Sequence, residues 1–317
     1  MKKILLASTM LLGAASMASA DVKLSGYGRF GLVYAENSGG EIGSDTTVYS
    51  RLRFNIDAST ETDTGVTFGG RVRIQSTTGS GSGSNVNSGL VYASYNGLRV
   101  EVGNTNEASD SVGLFYDSEL GFLDSSTGDA RSTTDGPAII ESYSSSEYSN
   151  DHVGLFTSYT VGDLNVYASY LQLDQYTDNV DGETDQASIA ADYKYGQFSI
   201  AAAYVDGVGY VEDATFAFVG VAYAVNDVAN VGLNYYDEAS TATTDGGVTY
   251  TLYGNYKMDA ITLRGYVANN TASSNEDDTV YGVGADYALG GGARLSGSVQ
   301  TNYDGNAVAD VGVRFNF

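Results

Sequence analysis

Apolar and polar side chains alternate with a period of two along almost the whole chain, and almost no segment has the 3.6-residue period of an amphipathic helix. Segment 22–34 places Leu24, Phe30 and Leu32 on one face and Arg29 on the other. Successive side chains of a β-strand point to opposite faces, so this pattern predicts strands with one apolar and one polar face. The chain is therefore predicted to be all-β.

Sixteen strands are predicted when this reading is continued along the chain, and short connections alternate with long polar ones. Asn96 and Gly97 separate a predicted fourth strand, 88–95, from a fifth, 98–103, and the Asn-Gly pair is a strong signal for a type I′ hairpin. Short turns at one end and long loops at the other are typical of an up-and-down transmembrane barrel. The even strand count places both termini at the short-turn end.

The apolar faces of the predicted strands must meet lipid, and the polar faces must meet water. A closed barrel leaves no unpaired strand edge in hydrocarbon, and sixteen strands enclose an aqueous channel rather than a packed core. The composition agrees, since 26 Tyr and 40 Gly with one Pro and no Trp suit strands joined by turns. We therefore predict a 16-stranded antiparallel transmembrane β-barrel with a polar lumen.

The first twenty residues have the pattern of a secretory signal peptide. Two lysines precede an apolar run at 4–12, and Ala18, Ser19 and Ala20 form a small-residue cleavage site. The apolar run is too short to span a bilayer as a helix. We expect residues 1–20 to be removed and residues 21–317 to form the barrel.

The charge and the lack of cysteine limit the possible functions. Fifteen Lys and Arg stand against 39 Asp and Glu, a net charge of −24, so nucleic acid is excluded as a natural partner. No cysteine is present for a disulfide framework. An acidic secreted adhesion or surface-layer protein is an alternative on composition alone. Such a protein has no reason to carry an apolar belt on sixteen strands, and no repeat of 20–50 residues is detectable.

Several short motifs give the chain a family resemblance. It resembles the general-diffusion porins of the outer membrane, especially those of photosynthetic purple bacteria, and the resemblance covers residues 21–317. The motifs are LSGYGRFG at 24–31, SRLRF at 50–54, GVTFG at 65–69, DSV at 110–112 leading to YDSE at 116–119, and VADVGVRF at 308–315 before a terminal Phe317. The resemblance implies a homotrimer in the outer membrane of a Gram-negative bacterium, with the third long loop folded into the lumen. It also implies passive, weakly selective diffusion of small hydrophilic solutes and ions.

The loop 104–150 is the longest segment without a strand pattern, and a structureless loop of this length is usually functional or disordered. Its apolar residues, among them Leu114 and Phe115, would not be needed in a solvated tail. By the resemblance it is the constriction loop. Its carboxylates expected at the constriction are Glu107, Asp110, Asp117, Glu119 and Asp124.

Five arginines fall on the polar faces of the first three strands: Arg29, Arg51, Arg53, Arg71 and Arg73. Neighbouring strands lie about 4.8 Å apart, so we expect these side chains to cluster on one wall at one depth. Facing the loop carboxylates, they would create a transverse field that selects solutes by charge and polarity. A substrate-specific channel is a further alternative; sugar-specific channels line the lumen with an aromatic track, whereas here the lumen aromatics Tyr27, Tyr49 and Tyr92 are interspersed with charge.

The crowded carboxylates of the loop also suggest calcium, with Asp117, Glu119 and Asp124 as candidate ligands. Solvated acidity facing the arginines is the alternative, and no cofactor is expected to be required. No catalytic set is visible, because His152 is the single histidine and cysteine is absent. The glycines at 26–31 match a dinucleotide fingerprint, but they lie inside a strand and not at a strand–helix junction. We therefore predict that the chain is not an enzyme.

Overall fold

The computed structural model describes residues 21–37, 45–78, 83–129, 153–172, 184–238 and 246–317. The predicted signal peptide, His152 and the second part of the third loop lie outside these residues. The described residues form seventeen strands: β1 Asp21–Ala35, β2 Thr46–Glu61, β3 Thr67–Thr78, β4 Gly83–Val86, β5 Leu90–Tyr95, β6 Leu98–Gly103, β7 Val153–Val161, β8 Leu164–Gln172, β9 Gln186–Tyr195, β10 Phe198–Asp206, β11 Thr215–Asn226, β12 Ala229–Asp237, β13 Val248–Met258, β14 Ile261–Asn270, β15 Thr279–Gly290, β16 Ala293–Thr301 and β17 Ala307–Asn316. Three short 3-10 turns lie at Ser109–Ser111, Gly113–Tyr116 and Val208–Tyr210. No helix among the described residues is long and apolar enough to cross a membrane.

The strands form one closed antiparallel barrel. Each strand pairs with its neighbours in the chain, and β1 pairs with both β2 and β17, which closes the sheet. β4 and β5 both pair with β3, at successive positions, and together they make one interrupted strand. The predicted barrel of sixteen strands is thus confirmed. The predicted fourth strand, 88–95, omitted β4, because a shift of register between the two segments breaks the alternation that the prediction used.

The hairpin predicted at Asn96 and Gly97 is present. Both residues have positive φ, 48° and 82°, as a type I′ turn requires. Tyr95 pairs with Leu98 across the turn, so the apolar residues of β5 and β6 share the outer face.

The two faces of the barrel differ as the alternation predicted. On the outer face Val22, Leu24 and Val48 expose 70%, 60% and 70% of their surface, whereas the inward Arg29 and Arg73 expose 8% and 9%. A continuous apolar outer band is suited to lipid, and it encloses a polar lumen.

The closing seam is filled by the aromatic C-terminus. The Gly26 amide donates to the Phe317 carbonyl at 2.8 Å, and the Phe317 amide donates back at 3.0 Å. The rings of Phe317 and Phe315 lie over Gly26 and Gly28, where an added Cβ would overlap them. These glycines therefore permit a close approach at the seam, and the fingerprint at 26–31 is part of β1.

The described part of the third loop, residues 104–129 after β6, folds into the lumen and supplies much of the buried apolar core. The Phe115 side chain is 1% exposed, and its ring centroid lies 5.8, 5.2 and 5.4 Å from those of Phe216, Phe218 and Tyr236. Leu120 packs in a second cluster whose other members are Tyr253, Tyr266, Ala268, Val280 and Tyr303. The apolar residues noted in the loop sequence thus attach it to the inner wall.

A buried carboxylate lies near the end of the described part of this loop. Glu238, just after β12, is 5% exposed and accepts a hydrogen bond from Thr249 Oγ1 at 2.9 Å. Burial raises the pKa of Glu238 from its usual 4.5 to about 8, and the nearby Asp129 adds to the increase. Asp129 is itself 1% exposed. Near neutral pH, Glu238 is therefore largely protonated.

We predict that replacing Phe115 by Ala lowers the free energy of unfolding by about 3–5 kcal/mol, because it leaves a cavity between the loop and the wall. Leu123→Ala is the matched control, since Leu123 lies in the same loop, is half-buried and belongs to neither cluster. Urea unfolding of the reconstituted barrel measures both. Equal losses in the two variants would contradict the role assigned to Phe115.

We also predict that stability falls as the pH rises from about 4.5 to about 8. The pKa of Glu238 is higher in the folded than in the unfolded protein, so the folded state holds an extra proton in that window. The contribution is present below pH 4.5 and lost as the pH passes 8. Glu238→Gln should flatten this slope in urea unfolding at pH 5 and pH 8. Asp304→Asn, at an exposed loop position, should leave the slope as it is. An unchanged slope in Glu238→Gln would show that Glu238 does not cause it.

Candidate functional site

Hydrogen bonds from side chains of the barrel wall hold the described part of the third loop inside the lumen. Backbone polar groups need partners, and here side chains on the inner face supply them. The Ala108 amide donates to the Ser169 and Ser188 hydroxyls at 3.0 and 2.8 Å. Asn234 Nδ2 donates to the Leu114 carbonyl at 2.7 Å. These contacts hold the first part of the loop against β8, β9 and β12.

The tip of the loop, residues 120–125, is fixed to the opposite part of the wall. The Leu120 and Ser125 backbones bond to each other at 2.9 and 3.2 Å, and Asp124 adopts a positive φ of 46°. The Phe122 amide donates to Asp310 Oδ1 at 2.8 Å. Asp124 is the one acidic side chain of the tip, and it forms ion pairs with Arg294 and Arg314.

These two arginines belong to a row that the sequence analysis found only in part. Arg294 pairs in register with Arg314, Arg314 with Arg29, and Arg29 with Arg51. The row therefore crosses the four neighbouring strands β16, β17, β1 and β2. We call these four residues the arginine row. Arg294 and Arg314 were missed because strands at the two ends of the chain become neighbours only through closure, although the inward position of Arg314 was readable from the alternation.

The predicted arginines share one wall, but the prediction of a single depth is wrong. Arg51 and Arg53 follow one another down β2, Arg73 lies opposite Asn55, and Arg71 lies opposite Asp57. From Arg51 to the level of Arg71 is six residues, about 20 Å along the strand. A strand tilt of 35–45° still leaves about 10 Å or more of depth between them.

The three predicted arginines that lie outside the row are bonded to their cross-strand neighbours. Their partners are Gln75 at 2.6 Å for Arg53, Asp57 at 2.5 Å for Arg71 and Asn55 at 3.1 Å for Arg73. They therefore form a descending column next to the arginine row.

Aromatic rings separate the like charges of the row. The Tyr27 ring lies 4.6 Å from the Arg314 guanidinium and 5.0 Å from that of Arg53. The Tyr49 ring lies 5.3 Å from Arg29 and 5.8 Å from Arg51. Cation–π contacts of this kind are favourable, and together with Asp124 they stabilise guanidinium groups that would otherwise only repel one another.

Arg29 also binds the loop directly. Its Nη1 donates to the Leu123 carbonyl, and its Nη2 donates to the Tyr49 hydroxyl at 3.1 Å. Arg51 makes no such contact with the described part of the loop, residues 104–129; its Nη1 lies 3.5 Å from the Tyr27 hydroxyl, and its Nε is buried without a hydrogen-bond partner among the described residues. Arg294, Arg314 and Arg29 are thus bound to the loop, whereas Arg51, at the other end of the row, faces the lumen.

The loop carboxylates do not all face this row. Glu107 is fully buried and accepts hydrogen bonds from Gln186 Nε2 at 2.5 Å and from Ser109. Asp110 is held within the loop by Asn106 and Tyr116. The expectation that Glu107 faces the lumen is therefore wrong, since its side chain lies behind the loop.

Three carboxylates remain on the side of the lumen. Asp124 binds the arginine row, and Glu119 interacts electrostatically with Arg314. Asp117 accepts a hydrogen bond from the Tyr253 hydroxyl at 3.3 Å, and burial raises its pKa above the usual range, although Arg264 opposes the increase.

The described geometry gives no support to the residues proposed as calcium ligands. Among the described residues no group of three or more His, Cys, Asp or Glu side chains could hold a metal. Asp124 is already paired with two arginines, and Asp117 is bound to Tyr253. Calcium at Asp117, Glu119 and Asp124 stays a prediction, without support from this geometry.

Comparison with known proteins identifies the family. The model of the Gram-negative porin family matches residues 7–307. The porin of Fuscovulum blasticum is 44% identical over 298 residues, and that of Rhodobacter capsulatus is 30% identical over 328; each match covers 94% of this chain and 100% of the relative. The structure of a triple mutant of the Rhodopseudomonas blastica porin matches with a TM-score of 0.84 at 42% identity, over 94% of this chain and 100% of the other. With this closed barrel and its inward-folded loop, the chain belongs to the family of Gram-negative porins.

Proposed function

We propose that the chain is a passive, weakly selective channel through which small hydrophilic solutes and ions diffuse across the outer membrane. The observation that carries the proposal is that fixed charges of both signs lie inside the barrel, some on the wall and some on the third loop. The arginine row stands on one wall, and Glu119 and Asp124 of the third loop approach it from inside the barrel. We further propose that the predicted loop 104–150, described here to residue 129, forms the constriction.

Charges fixed on two sides of a narrow lumen create a field across it. A dipolar solute or a hydrated ion can orient in that field and pass, whereas an apolar solute would strip water from charged groups without replacing their hydrogen bonds. Selection of this kind needs positioned side chains and no bond-making. We therefore propose that the chain catalyses no reaction, in keeping with the porins that it resembles.

A substrate-specific channel is less well supported. A sugar-specific channel, for example, would line the lumen with a continuous aromatic track. The inward rings near the arginine row, Tyr27 and Tyr49, each contact guanidinium groups at 4.6–5.9 Å and so belong to the charged wall. The acidic adhesion protein considered on composition would not require the apolar outer face of the barrel.

The proposed ion selectivity can be tested at the arginines. We predict that Arg51→Gln combined with Arg71→Gln raises the cation/anion permeability ratio, because two positive charges leave the lumen. Asp124→Asn should change the ratio in the opposite direction. Reversal potentials in planar bilayers measure both. The shifts should shrink from 0.1 M to 1 M salt, as the Debye length falls from about 10 Å to about 3 Å.

Lys257→Gln is a suitable single-charge control for this experiment. Lys257 is exposed at the short-turn end of β13, so its loss should shift the reversal potential less than either single arginine replacement. If the double arginine variant keeps the wild-type reversal potential at 0.1 M salt, the assignment of these residues to the conducting path is wrong.

We also propose that residues 1–20 direct export and that the mature barrel is a homotrimer in the outer membrane of a Gram-negative bacterium. The relationship to purple-bacterial porins supports this assembly. Gly26 and Gly28 do not contribute a flat surface for it, because Phe315 and Phe317 cover them. We predict that native mass spectrometry of the detergent-extracted protein finds three copies that separate on heating. Monomers alone in several mild detergents would contradict the trimer.

A further inference from the structure

A second polar site lies beside the start of the third loop, at the Arg71 end of the arginine column. A half-open cavity of about 180 Å³ lies there between the inner wall and the loop. The wall contributes Arg71, Leu90, Arg99, Glu101 and Phe156, and the loop contributes Asn106 and Ser111. The volume corresponds to roughly six waters at about 30 Å³ each, which is enough for a small organic solute.

Arg99 is held in place but keeps donors available. Its guanidinium lies 3.5 Å from the centroid of the Tyr92 ring, and its Nε donates to Glu101 Oε1 at 2.5 Å. Its terminal nitrogens donate to no acceptor among the described residues, and the side chain is 34% exposed. A guanidinium fixed in this way presents the edge formed by its two terminal nitrogens to a carboxylate.

The same cavity offers acceptors. Asn106 Oδ1 is buried and has no hydrogen-bond partner, while its Nδ2 donates to Asp110 and so fixes the direction of the amide. A buried acceptor without a donor is unfavourable, so a ligand that donates to it gains binding free energy. Glu101 binds Arg99 through Oε1 alone, which leaves Oε2 for a second donor.

An apolar surface completes the cavity. Leu90 and Phe156 are 6% and 8% exposed, and Phe156 pairs in register with Glu101 on the neighbouring strand. The site therefore combines the guanidinium groups of Arg99 and Arg71, two acceptors and an apolar patch. Arg99 is paired with Glu101 and Arg71 with Asp57, each at 2.5 Å, so a simple anion or cation would meet charges that are already neutralised.

We propose that this cavity is a binding subsite for zwitterionic α-amino acids with a small apolar side chain. The carboxylate would bind the Arg99 terminal nitrogens, the ammonium group would donate to Asn106 Oδ1 and Glu101 Oε2, and the side chain would contact Leu90 and Phe156. A zwitterion satisfies both charges without adding a net charge. This proposal rests on the proposed diffusion function. It specifies one class of solute that binds transiently inside the channel as it diffuses through.

The test uses the ion current through the reconstituted protein at 0.1 M salt, with L-leucine as the probe. Leucine should reduce the conductance in a saturable manner. Two analogues separate the contributions of the two charged groups to binding: 4-methylpentanoate lacks the ammonium group of leucine, and 3-methylbutylamine lacks its carboxylate. Each should need a concentration about tenfold higher for half-maximal effect. Equal effects of either analogue and leucine, or no saturable effect of leucine, would overturn the proposal.

Substitutions in the cavity test whether leucine reduces the conductance by binding there. Arg99→Gln should raise the half-maximal leucine concentration about tenfold, and Ser111→Leu, which fills the cavity without changing a charge, should do the same. Arg264→Gln is the matched control, because Arg264 is paired with Asp286 at 2.9 Å and is equally exposed, at 34%. It should leave the leucine response unchanged. A response that is unaltered by Arg99→Gln and Ser111→Leu would refute the site.

The basal conductance separates this proposal from the one on which it rests. A channel that conducts ions in the absence of leucine but shows no saturable response to it supports the diffusion function and refutes the subsite. A protein that forms no conducting channel when correctly folded would refute the diffusion function itself.

Discussion

The requirement that every backbone polar group in hydrocarbon have a partner governs this structure. The strands satisfy this requirement by pairing in a closed ring of sixteen positions. The last pairing, of β1 with β17, leaves no unpaired strand edge. Glycines of β1 and aromatic residues of the C-terminus form that closure. Gly26 and Gly28 leave room for the rings of Phe317 and Phe315, so the seam is filled by the aromatic end of the chain.

Closure also produces the charged wall. Because β16 and β17 come to lie next to β1 and β2, four arginines from the two ends of the chain become one row. The same row provides the attachment for the tip of the third loop, through Asp124 and the Leu123 carbonyl. The buried polar groups of a loop inside a barrel also need partners, and inward side chains of the wall supply several of them.

The fold could be read from the sequence because the alternation of polar and apolar residues is local. The hairpin at Asn96 and Gly97, the faces of β1 to β3 and the apolar anchors of the loop all follow from neighbouring residues. The partners of Asp124 could not be read in this way. They depend on which strands meet when the barrel closes and on the path of the loop, and neither is encoded in local spacing. For the same reason Glu107, one more acidic residue in an acidic loop, proved to be buried behind it.

The position of the loop and the field in the lumen depend partly on the same charges. Asp124, Arg294, Arg314 and Arg29 hold the tip of the loop, so a change at any of them alters both the charge and the geometry of the proposed constriction. Arg51 stands in the same row, and among the described residues it contacts Tyr27 and Tyr49 but not the loop. In the proposed function its charge would contribute to the field without holding the described part of the loop. Selectivity can vary at this end of the row while the loop attachment at the other end is kept.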